Sequence, residues 1–123
     1  MSTGARSEQN AEYFQAIVPK RSWYINFTGT AMQGPAFYSA TDPAAPNSLQ
    51  LTGTTVISLI ATEDCYVLIG ANPVVVAPTQ SGVAVNGFFL PAGIQEYIGV
   101  VPGQLLSVIS IGTSGTLYVN EGA

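Results

Sequence analysis

Turn punctuation is the feature that most limits what this chain can fold into. From Ser22 to Glu121, short runs of β-branched, leucine and aromatic residues are cut by glycine, proline or Asn-Gly. The cuts fall at intervals of roughly 8–12 residues, the spacing of an all-β domain built from short strands. Apolar residues in this region do not recur at the spacing of a long helix. With no room for helical crossovers, the strands must be joined mostly by turns and pair antiparallel, in a sandwich or small barrel of about eight to ten strands.

Individual runs give the expected elements. Trp23, Ile25 and Phe27 alternate with Tyr24, Asn26 and Thr28, the period of a half-buried strand. A loop follows from Gly29 to Asn47, with a short strand expected within it at Ala36–Ser39. Leu49 and Leu51 open another strand that Gly53 interrupts. Thr54–Ala61 is β-branched and nearly all apolar, as in a central strand buried on both faces. Glu63-Asp64 turns the chain into a strand at Cys65–Ile69, and Val74–Ala77 is a short strand stopped by Pro78. Asn86-Gly87 predicts a hairpin joining Val83–Val85 to Phe88–Leu90. A strand at Ile94–Val101 leads into Pro102-Gly103, which fits a type II turn. Leu105, Ser107, Ile109 and Ile111 share one face of the next strand, and Leu117 and Val119 point inward from the last, at Thr116–Glu121.

The expected fold is therefore all-β: an antiparallel β-sandwich, jelly-roll-like or alternatively immunoglobulin-like, since strand spacing is similar in both. Residues 1–21 are expected to form an extended N-terminal arm and first strand, and residues 22–123 a single sandwich domain.

Composition narrows the function. Of 123 residues, 47% are hydrophobic, enough for a core, but only 8% are charged, where about 25% is usual. With no histidine and one cysteine, His-based triads, His/Cys zinc sites and an internal disulfide are excluded. Arg6, Lys20 and Arg21 are the only cations, and five carboxylates follow them. A body of that sign cannot neutralise phosphates or favour an anionic membrane, so nucleic-acid and membrane partners are not expected. The longest apolar runs fall well short of the ~20 residues of a spanning helix. The first ten residues lack the apolar stretch of a secretory signal, which makes the Asn26-Phe27-Thr28 sequon incidental.

Candidate chemistry is sparse. Glu63 and Asp64 read as a solvated turn. Glu96, between Ile94 and Ile98, is either exposed or buried with a cation, and a Glu63–Glu96 acid pair has no support in the spacing. Cys65 has acidic neighbours and no base, so it reads as a core residue. Ser107 and Ser114 lack a nucleophile-elbow context, and no glycine-rich turn carries a phosphate-binding lysine. No enzymatic activity and no cofactor are expected. Trp23, Tyr24, Phe37, Tyr38, Phe88, Phe89, Tyr97 and Tyr118 belong to the core or a protein interface. A sugar-binding module would instead show a solvent-exposed aromatic cluster.

Charge depletion with retained aromatics is what the centre of a protein interface looks like. It suits a surface covered by identical copies or by a larger partner. The candidate contacts are the arm, with Arg6, Lys20 and Arg21, and the 29–47 loop, with Phe37 and Tyr38.

Four segments also carry a resemblance. They are Ala61-Thr-Glu-Asp-Cys-Tyr-Val-Leu-Ile-Gly-Ala-Asn-Pro73, Asn86-Gly-Phe-Phe-Leu-Pro-Ala-Gly93, Val101-Pro-Gly-Gln104 with Leu106-Ser-Val-Ile109, and Gly115-Thr-Leu-Tyr-Val-Asn-Glu121. Together they resemble small virion proteins of tailed bacteriophages, some of which are similar to head decoration (cement) proteins with a jelly-roll or related sandwich fold. The resemblance covers residues 61–121; residues 1–60 carry no part of it. It implies a non-enzymatic subunit on the outer capsid surface, made in the host cytoplasm, that bridges major capsid protein subunits and associates with itself as a dimer or trimer. A head–tail connector or tail-associated protein, and a carbohydrate- or receptor-binding module, are the alternatives.

Overall fold

In a computed structural model, residues 19–39 and 53–122 are described. They form eight strands and no helix. The strands are β1 (Pro19–Phe27), β2 (Met32–Gln33), β3 (Val56–Ala61), β4 (Cys65–Gly70), β5 (Phe88–Leu90), β6 (Glu96–Gly99), β7 (Leu105–Ser110) and β8 (Gly115–Gly122). One antiparallel sheet has the order β1-β8-β3-β6 and the other β2-β7-β4-β5. Only β4 and β5 are consecutive in sequence and adjacent in one sheet; every other connection crosses between sheets.

The inward positions of both sheets meet in one core. Phe27, Ile57, Leu59, Ala61, Leu117 and Val119 come from the first sheet, and Cys65, Val67, Leu90, Leu106 and Val108 from the second. Burying this apolar surface is what holds the two layers together. The alternation expected for Trp23–Thr28 is present, with Trp23, Ile25 and Phe27 on the core side. Leu117 and Val119 point inward as expected. On β7 the buried apolar side chains are Leu106 and Val108, so Leu105, Ser107 and Ile109 share the outer face. The expected type II turn is present: Gly103 has φ 89°, and the Gln104 N–H donates to the Val101 carbonyl at 3.1 Å.

Pro19–Arg21 open β1, which runs on to Phe27 with a register shift between Pro19 and Arg21 in its pairing with β8. Several expectations differ. Val83–Val85 forms no hairpin with Phe88–Leu90. Instead the Asn86 side chain clamps a different segment: its Oδ1 accepts from Val76 N–H at 3.1 Å and its Nδ2 donates to the Val74 carbonyl at 3.3 Å. That frees Phe88–Leu90 to pair with β4. Val74–Ala77 and Ala36–Ser39 form no strand. Val75 is buried over β7, where its N–H donates to Ser107 Oγ at 3.2 Å. The strand expected around Leu49, and residues 1–18 of the expected arm and first strand, lie outside the described residues.

Candidate functional site

Arg21 and Glu121 sit at inward positions of neighbouring strands, opposite each other in the β1–β8 register. Glu121 is 0% exposed. Its Oε2 accepts from Arg21 Nη2 at 2.7 Å, Arg21 Nε at 3.1 Å and Trp23 Nε1 at 2.6 Å. Its Oε1 accepts from the Tyr38 N–H at 2.9 Å and Thr54 Oγ1 at 2.6 Å. Arg21 Nη2 also donates to the Ala36 carbonyl at 2.9 Å. Two carboxylate oxygens offer about four lone-pair sites, and five donors converge on them. With its lone pairs engaged within the chain, the cluster serves as a tie. It fastens β1, β8, the 34–39 segment and the lead into β3 at one end of the sandwich.

This geometry revises the expected contact residues. Arg21 is committed to Glu121 and Ala36 within its own chain. Phe37 and Tyr38 are each 1% exposed and belong to the interior, so neither presents its ring to a partner. Their place follows from backbone pairing: Phe37 N–H donates to the Gln104 carbonyl at 2.8 Å, and Gly103 N–H donates to the Phe37 carbonyl at 3.0 Å. These bonds draw the segment over the open end of the core. Arg6 lies outside the described residues, and of Lys20 only its place in β1 is described.

Other candidates resolve simply. Glu96 is exposed at the start of edge strand β6. Asp64 is exposed and accepts from Ala92 N–H at 2.8 Å, and Glu63 is half-buried beside it. Burial, and secondarily the charge of Asp64, pushes the Cys65 thiol up from 9.0 to about 12. That keeps it protonated and unreactive at neutral pH.

The two outer faces are the surfaces left for recognition. From Ser22 to Gly122, no outward position on either sheet holds a charged side chain. On the second sheet, Tyr66 pairs with Phe89 across β4–β5, their ring centroids 5.8 Å apart. Ile109 flanks Tyr66 on β7, and Ile111 is exposed just beyond that strand. The 71–87 excursion covers the neighbouring row: Gln33 Nε2 donates to the Pro73 carbonyl at 2.7 Å and to Asn72 Oδ1 at 3.1 Å. The first sheet presents a different face, of tyrosines among amides and hydroxyls. Tyr24, Tyr97 and Tyr118 are all exposed there.

The described residues therefore define a β-sandwich with a buried five-donor tie and two outer faces that hold no charged side chain from Ser22 to Gly122. Comparison with protein-family profiles, with curated proteins and with solved structures finds no match to this chain.

Proposed function

We propose that this chain is a non-enzymatic structural subunit of a tailed-bacteriophage virion, seated on the outer capsid surface and bridging major capsid protein subunits. The observation that carries the reading is the absence of charged side chains from the outer faces of both sheets from Ser22 to Gly122. Isolated soluble domains cover such positions with Lys, Glu, Arg and Asp. Depletion of charge there, with tyrosine, phenylalanine and isoleucine exposed, matches surfaces made to be covered. The strand order supports the jelly-roll form of the reading, since six of seven connections cross between the sheets. That alternation is what two interlocked Greek keys require.

Contact with the capsid falls to the apolar patch of Tyr66, Phe89, Ile109 and Ile111 on the second sheet. Phe89→Asp places a charge in that contact without touching the core, because Phe89 lies on the outer side of an edge strand. The expected result is at least a tenfold loss in affinity for capsids lacking the subunit, with the thermal midpoint within a few degrees of wild type. Unchanged saturation of such capsids contradicts the placement. The basic residues Arg6 and Lys20 are kept as a second contact, with acidic capsid surface. Removing residues 1–12 is expected to weaken binding and leave the sandwich folded.

A further inference from the structure

The outer face of the β1-β8-β3-β6 sheet has a chemistry of its own. Register places Tyr24 opposite Tyr118 and Tyr118 opposite Ile60. Ser22, Asn120, Ser58 and Tyr97 form the next row. Tyr24, Tyr97 and Tyr118 are 62%, 53% and 47% exposed. The rings of Tyr24 and Tyr118 lie 6.1 Å apart between centroids and are tilted by 46°. Asn120 Nδ2 donates to Ser58 Oγ at 3.3 Å. Beside Tyr118 opens a groove of about 510 Å³, lined by Ile60, Ala61, Thr62, Ala92, Gly93 and Tyr118.

These features restrict the occupant. From Ser22 to Gly122 no outward position of this sheet holds a charged side chain, and none lines the groove, which favours an uncharged ligand. Exposed tyrosine rings favour a ligand with a flat face of C–H bonds. The adjoining amides and hydroxyls favour one rimmed with hydroxyl groups. A sugar ring has both properties. The groove volume lies within the range of roughly 300–1,000 Å³ found for small-molecule sites.

We propose that this face binds a neutral oligosaccharide, with Tyr118 as the stacking platform, Tyr24 beside it and the Ser22–Asn120 row supplying hydrogen bonds. The sheet lies on the opposite side of the sandwich from the Phe89 patch, so sugar and the contact at that patch do not compete. The proposal stands whether or not the chain is a virion subunit.

The test is affinity electrophoresis of the full chain in gels carrying dextran, mannan or galactan, with anionic alginate as control. Retardation is expected in at least one neutral gel and not in alginate. Tyr118→Ala is expected to weaken it at least tenfold, and Tyr118→Phe to stay within threefold of wild type. Ala92→Trp fills the groove while leaving Tyr118 in place, and is expected to weaken binding at least tenfold even if Tyr118→Ala folds poorly. Absence of retardation in every neutral gel overturns the proposal. So does retardation that Ala92→Trp leaves unchanged. Self-association in sedimentation that Tyr118→Ala abolishes also overturns it, and reassigns the face to a second copy of the chain.

Discussion

Arg21 Nη2 lies 2.7 Å from Glu121 Oε2, although the two residues are 100 positions apart in the chain. The pair joins the first described strand to the last, inside a buried cluster where three neutral donors share the same carboxylate. In an ordinary buried ion pair, replacing both partners by apolar groups is often neutral. Here that replacement strands Trp23 Nε1–H, the Tyr38 N–H and the Thr54 hydroxyl. Glu121→Ala is expected to destabilise by about 3–5 kcal/mol, in the range for breaking a buried pair. The double variant Arg21→Met/Glu121→Leu is expected to remain at least about 2 kcal/mol less stable than wild type, because stranded buried donors each cost about 1–3 kcal/mol. Urea midpoints of the single and double variants measure both; full recovery in the double variant would show that the neutral donors contribute nothing.

Gly34 packs directly against the Trp23 ring. A Cβ at Gly34 would overlap the ring at Cη2 and Cζ3. The indole cannot swing away freely, because its Nε1–H is held by Glu121 at 2.6 Å. Gly34→Ala is therefore expected to destabilise by about 1–3 kcal/mol, the usual effect of overpacking. Trp23 is the only tryptophan, so its fluorescence reports the displacement directly as a changed emission maximum. An unshifted spectrum together with unchanged stability counts against this packing.

The Tyr38 hydroxyl is buried and has no hydrogen-bond partner among the described residues. A buried hydroxyl without a partner is a liability that phenylalanine removes at nearly constant shape. Tyr38→Phe is expected to raise stability by about 1 kcal/mol. A loss of stability on calorimetry would mean that the hydroxyl has a partner in the folded protein.

The Cys65 thiol is raised from 9.0 to about 12 by burial and then by Asp64. Above pH 9 the unfolded chain has lost this proton and the folded chain retains it. The unfolded state then binds fewer protons, so stability falls as pH rises from 9 toward 12. Cys65→Ala is expected to flatten this slope in denaturant midpoints taken between pH 9 and 11. A slope identical to that of wild type would assign the alkaline loss to other groups.

Much of the fold is legible in the sequence because strand faces alternate strictly. Trp23, Ile25 and Phe27, and likewise Leu117 and Val119, announce their core faces by period alone. The same parity carries Arg21 and Glu121 inward, two steps from Trp23 and Val119. Charge type draws attention instead to exposure, to Glu96 and to an arm with all the cations. Parity was the available signal for the buried tie, but nothing in it says that one carboxylate gathers donors from three separate segments. Phe37 and Tyr38 sit in a Gly/Pro-rich stretch that reads as a surface loop. Long-range bonds to Gln104, Gly103 and Glu121 bury them, and such bonds leave no local pattern. Asn86-Gly87 gives a true turn signal with the wrong partner, because the Asn86 side chain binds the backbone at Val74 and Val76 rather than closing a hairpin. The tyrosine face appears only when register sets Tyr24, Tyr118 and Tyr97 on one side of one sheet.

The virion assignment meets its most direct test in the copy number of this chain per purified particle, by quantitative peptide mass spectrometry against the major capsid protein. The account predicts hundreds of copies in a fixed ratio to that protein. A count of about six to twelve would contradict it in favour of a connector or tail component, and a count of zero would remove the chain from the virion altogether.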